Sequence, residues 1–72
     1  MNNLNVAKIE LIGDPYEINN RTNLNELLNK LKIQKNKVAI EVNGEIIEKH
    51  KYLNIILTKD DKVEIVQFIG GG

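Results

Sequence analysis

The residues most able to do chemistry in this chain are Gly70, Gly71 and Gly72, which follow the strand-like run Val63-Glu64-Ile65-Val66-Gln67-Phe68-Ile69 at the end of the 72-residue sequence. A terminal glycine offers a free α-carboxylate with no side chain to obstruct it. Three extended residues reach about 10 Å, enough to enter a narrow slot on another protein. Glycine is costly to order, so the tail points either to a site that needs bare backbone or to a frayed terminus. On the first reading the carboxylate of Gly72, ionised at neutral pH, is the working group. An ionised carboxylate is a poor electrophile. Its activation requires an oxygen to become a leaving group, most simply in an acyl-adenylate made by a partner that encloses the carboxyl and excludes water. Gly70 and Gly71 would thread into that enclosure and pair with it through backbone groups alone.

The remaining candidates are weaker. The chain has no Cys and no Ser, which removes the two commonest side-chain nucleophiles and any thiolate metal site. Thr22 sits just before a helical pattern, where a hydroxyl caps. The single histidine, His50, lies in Glu48-Lys49-His50-Lys51 and reads as a solvated loop residue rather than a general base. Asp60-Asp61 would suit paired acid–base work or a hard cation, but a position between two strands reads as a turn. No glycine-rich loop opens a helix to cradle phosphate. The expectation is therefore a protein that is not an enzyme, holds no metal and has no cofactor of its own.

Composition narrows the class further. Ten basic and ten acidic residues give a formal net charge of zero, without the Lys/Arg excess of nucleic-acid binders. No apolar run approaches the roughly 20 residues of a membrane span, and no basic-then-apolar leader opens the chain, so a cytoplasmic protein is expected. The length allows one core. The scattered asparagines read as surface and capping residues rather than as a polar low-complexity tract.

The elements that must position the tail follow from periodicity. Ala7, Ile9 and Leu11 alternate with Lys8 and Glu10, as do Tyr16 and Ile18 with Glu17, and a turn at Gly13-Asp14-Pro15 between them predicts a hairpin. Leu24, Leu27, Leu28 and Leu31 fall at helical spacing behind the capping-box pair Asn23 and Glu26. Val38, Ile40 and Val42 form another strand, Asn43-Gly44 a tight turn, and Glu45 to Glu48 a short return strand. Lys49 to Thr58 has no clean period and is expected to loop over one end of the sheet, with Tyr52, Leu53, Ile55 and Leu57 closing the core. Lys59 to Lys62 is a polar turn before the last strand. The order predicts an α+β roll with one helix on one sheet face. If Val63 and Ile65 face that helix, Val66 and Phe68 are exposed beside the tail as candidates to dock a partner. A bulge or covering loop would instead bury Phe68.

Taken together, Ile40-Glu41-Val42-Asn43-Gly44-Glu45-Ile46-Ile47 and Lys62-Val63-Glu64-Ile65-Val66-Gln67-Phe68-Ile69-Gly70-Gly71-Gly72 resemble the ThiS family of sulfur carrier proteins over essentially the whole chain. The resemblance implies a ubiquitin-like β-grasp fold, a mixed sheet of four to five strands with one main helix packed on one face. It implies a single domain over 1–69 and a flexible glycine tail over 70–72. It further implies that a ThiF-type adenylating enzyme, using ATP and magnesium that it binds itself, activates Gly72. Sulfur from a cysteine desulfurase then gives a thiocarboxylate, and a ThiG-type thiazole synthase accepts it while building the thiazole of thiamine. A carrier whose sulfur rides on its carboxyl terminus needs no thiol, in keeping with the absence of Cys. The chain departs from the family pattern at Asp60-Asp61, where Gly-Asp is common, at Gly13-Asp14, where Asn-Gly is common, and in its extra residues Met1 to Asn5. A molybdopterin synthase small-subunit type of carrier, a ubiquitin-like protein modifier and a β-grasp interaction module with an inert tail are the alternatives.

Overall fold

The computed structural model describes residues 5–68. Strands β1 (Val6–Leu11) and β2 (Asp14–Asn19) form the first hairpin, α1 (Leu24–Leu31) follows, and β3 (Val38–Val42) and β4 (Glu45–Ile47) form the second hairpin before β5 (Lys62–Gln67). The sheet order is β2-β1-β5-β3-β4. The last strand thus enters the middle, parallel to β1 (Leu11↔Val63) and antiparallel to β3 (Ile40↔Ile65). Strand alternation puts Ile9, Ile18, Val38, Ile40, Val42 and Val63 on one face. There they bury together with Leu24, Leu27 and Leu28 of α1. The expected fold is the observed one.

Helix α1 has only eight residues, too few to stand alone in water, and its ends are closed explicitly. Asn23 Oδ1 accepts from the Glu26 N–H at 2.8 Å, and Glu26 Oε1 accepts from the Asn23 N–H at 2.9 Å. This is the reciprocal capping box. Thr22 stands outside it, donating its hydroxyl to the Asn19 carbonyl at 2.6 Å. At the other end Lys32 takes a left-handed conformation (φ 61°). The Lys32 N–H reaches the Asn29 carbonyl and the Ile33 N–H the Leu28 carbonyl, a Schellman closure with lysine where glycine is usual.

Two expectations are corrected. The first hairpin turns at Ile12-Gly13, not at Gly13-Asp14-Pro15. Asp14 and Pro15 already pair with Leu11 and Glu10, and the proline is tolerated because β2 is an edge strand. Both hairpin turns carry two consecutive positive φ values, 49° and 86° at Ile12 and Gly13, 53° and 86° at Asn43 and Gly44. That is the turn geometry whose twist matches the strands. A β-branched residue pays (in backbone strain) for that conformation, and Ile12 is exposed, so nothing in the core compensates. The second correction concerns Lys49 to Thr58. Lys49–Asn54 is a 3-10 helix that buries Tyr52 and, beyond it, Leu57, leaves Ile55 half-buried, and turns Leu53 out to 64 % exposure. Three residues per turn do not let neighbours Tyr52 and Leu53 share the inward side.

The Tyr52 hydroxyl is buried without a hydrogen bond of good geometry among the described residues. Burial raises its pKa, with the nearby Ile40 backbone opposing part of the rise. The fold therefore favours the neutral phenol, a contribution present below the ordinary tyrosine range near about pH 10 and lost as pH climbs through the raised folded value. Tyr52→Phe is expected to stabilise by up to about 1 kcal/mol, since it removes an unsatisfied polar atom, and to flatten the alkaline loss. Urea unfolding at neutral pH and above pH 10 measures both. Ile12→Asn is expected to raise stability by roughly 1 kcal/mol by relieving the left-handed strain, read in the same experiment.

Candidate functional site

Strand β5 carries the chain toward its end, and its side chains sort strictly between two faces. Val63 is fully buried and Ile65 half-buried under α1. Glu64, Val66 and Phe68 therefore stand on the open face. Val66 is 52 % and Phe68 59 % exposed, which decides between the two readings of Phe68: neither bulge nor loop covers it. Pairing with β3 runs the whole length, from Val42↔Val63 to Val38↔Gln67. One more backbone bond, from the Phe68 N–H to the Lys37 carbonyl at 2.9 Å, holds the last described residue.

The open face around this exit is apolar with a charged border. Ala39 lies opposite Val66, and Glu41 lies opposite Glu64. On β4, Ile46 pairs with Glu41 and is 68 % exposed. Two like charges directly opposite one another are mildly unfavourable in an isolated sheet. Lys49 closes the other side. Its Nζ donates to the Val38 carbonyl at 3.0 Å and stands 5.3 Å from the centroid of the Phe68 ring. Gly70, Gly71 and Gly72 lie outside the described residues.

Sequence reasoning placed Val66 and Phe68 but missed Ile46 and the role of Lys49. Ile46 was legible: a two-residue turn at Asn43-Gly44 sets 42 opposite 45 and 41 opposite 46, which sends Ile46 to the open face. Lys49 was not, because its partner carbonyl belongs to β3 and its ring to β5.

The other chemistry-bearing residues have structural tasks. His50 Nε2 lies 3.5 Å from the exposed Glu48 carboxylate. Asp60 takes a left-handed φ of 71°, the conformation expected where the family pattern has glycine. Asp61 ties the loop before β5 to the second hairpin. Its carboxylate accepts from the Thr58 N–H at 2.8 Å, the Thr58 hydroxyl at 3.3 Å and the Asn43 side-chain amide at 3.0 Å. Asn43 in turn accepts from the Lys62 N–H at 2.9 Å. Among the described residues no group of three His, Cys, Asp or Glu side chains is placed to hold a metal ion. None of their helices is long and apolar enough to cross a membrane.

A central last strand, flanked by one parallel and one antiparallel neighbour under a single capped helix, defines the ubiquitin-like β-grasp class. Within that class the chain belongs to the ThiS family, whose family model matches residues 8–72. It is 32 % identical to the crystal structure of the thiamine biosynthesis protein ThiS of Geobacter metallireducens, with a TM-score of 0.79, covering 90 % of this chain and 99 % of that one. It is 39 % identical over 49 residues to the sulfur carrier protein ThiS of Bacillus subtilis, covering 68 % of this chain and 74 % of the relative. It is also 40 % identical over 65 residues to a thiazole synthase of Magnetococcus marinus. That match takes in 90 % of this chain but only 20 % of the synthase, so the chain spans about a fifth of that relative's length.

If Asp61 serves the fold, Asp61→Ala is expected to cost roughly 2 kcal/mol in urea unfolding, the price of orphaning several donors.

Proposed function

We propose that this protein is a sulfur carrier of thiamine biosynthesis and that the carboxylate of Gly72 is the group that bears the sulfur. The observation that carries the reading is the extent of the family match, which runs from the first strand through the three glycines. The ThiS relatives agree with it, as does a thiazole synthase chain that contains a segment like this one.

The chemistry belongs to partners, and the chain supplies a substrate end. In the active site of a ThiF-type adenylating enzyme, a carboxylate oxygen of Gly72 attacks the α-phosphorus of ATP and expels pyrophosphate. The outer sulfur of a persulfide from a cysteine desulfurase then displaces AMP to give an acyl disulfide, and a thiol reduces that S–S bond, itself being oxidised to a disulfide, to leave the thiocarboxylate. On a ThiG-type thiazole synthase the sulfur is handed to the acceptor, its C–S bond to Gly72 breaks, and an oxygen from the acceptor carbonyl or from water takes its place, restoring the carboxylate. Gly70 and Gly71 serve this cycle by what they lack: the slot around an acyl-adenylate closes on backbone alone and keeps water out. Val66, Phe68 and Ile46 form the apolar surface beside the exit and dock the body while the tail is inside.

The test is the intact mass of the protein isolated from its own cells and after incubation with a ThiF-type enzyme, ATP and a sulfur source. Exchange of one oxygen for sulfur at Gly72 supports a carrier, a ladder of conjugates supports a modifier, and an unchanged mass with a competent enzyme rejects both. Gly72→Val is expected to lower pyrophosphate release at least about 100-fold, roughly 2.7 kcal/mol of barrier, while unfolding like the parent protein.

A further inference from the structure

We propose that Lys49 is a positioning residue that aims the C-terminal tail, an inference that rests on the reading of Gly72 as the reacting end. The β3–β4 register pairs Ile40 with Ile47 and Val42 with Glu45. Continued two residues further, it would set position 49 opposite Val38. The chain instead leaves the sheet after Ile47 and enters the 3-10 helix at Lys49. The Val38 carbonyl on that side thereby loses the backbone donor a longer β4 would have given it. The Lys49 side chain supplies the missing donor at 3.0 Å.

From that position the same ammonium reaches the third strand. It stands 5.3 Å from the centre of the Phe68 ring, within the range of a cation–π contact. One cation thus joins the end of β4, the start of β3 and the end of β5. Lys49 takes no part in the ion pairs beside it: Glu48 faces His50 and Lys51. Phe68 is exposed and, among the described residues, is held by the one backbone bond to Lys37, so without the ammonium its ring has no described polar contact to choose one rotamer over another. Residue 69 follows directly, so holding Phe68 at the end of β5 fixes the point from which the rest of the chain departs. Fixing Phe68 lowers the ordering cost of threading the tail, which improves capture by the partner without altering the bonds made there.

The test measures adenylation of the full chain by its adenylating enzyme as pyrophosphate release against carrier concentration, for wild type, Lys49→Met, Lys49→Arg, Phe68→Ala and Lys49→Met/Phe68→Ala. Lys49→Met is expected to raise KM about 10-fold, from loss of a charged hydrogen bond and a cation–π contact, with kcat within about twofold because the threaded complex is unchanged. Lys49→Arg restores KM. In the Phe68→Ala background the Lys49→Met effect shrinks to less than about threefold, the mark of coupling. By amide hydrogen exchange, the Phe68 N–H of Lys49→Met opens faster than in wild type while those of Ile9 and Val63 do not change. An unaltered KM, a loss confined to kcat, failure of Lys49→Arg to rescue, or an equal effect with and without Phe68 overturns the proposal. If wild-type protein is not adenylated at all, the carrier reading fails first and the tail-aiming role falls with it. The Phe68 exchange rate still reports whether the Lys49 contact exists.

Discussion

Strand β5 can pair in one register only. Because successive side chains alternate between faces, slipping it by one residue would carry Val63 and Ile65 out of the core and push Glu64 and Val66 beneath the helix. The burial of Val63 in the core cluster that residues of both hairpins and α1 share forbids that. Everything at the exit follows from this parity: Phe68 lies five positions from Val63 and must face outward, beside Val66 and across from the first residues of β3. A core whose own stability is modest at this size therefore dictates the composition of a surface it does not touch. The Asp61 bonds to Thr58 and Asn43 act at the opposite end of the same strand, setting where β5 begins as the core sets how it faces.

Much of this was legible in the sequence because the relevant signals are local. The leucine spacing behind Asn23 and Glu26, the Asn43-Gly44 turn and the alternation in β5 each depend on neighbours within a few residues, and each matches the fold. The misses share a different cause. The first turn falls on Ile12 because the pairing of Ile9 with Tyr16 and Glu10 with Pro15 is worth more than the backbone preference of one isoleucine. Leu53 faces solvent because a 3-10 helix, whose hydrophobic pattern is too short to read, spaces side chains differently from an α-helix. Lys49 was unreadable since its carbonyl partner lies on β3 and its ring partner just past β5, both remote in sequence. Of the site itself, Val66 and Phe68 were accessible to parity arguments, while Gly70, Gly71 and Gly72 stand on their chemistry and on the family match.

Among the described residues, histidine, the aspartate pair and both threonines are engaged in, or exposed beside, ordinary structural contacts, and the open face near the exit is apolar with Glu41, Glu64 and Lys49 at its border. In the proposed cycle such a body contributes recognition, and bond making falls to the partner enzymes that close around the glycine end.

The outer strands have a consequence of another kind. Pro15 removes an N–H from β2, and β4 runs for only three residues. Neither margin of the sheet offers the long row of free amides on which a second chain could grow. Among the described residues, encounters at the oily face of the sheet are therefore confined to side-chain contact rather than strand addition.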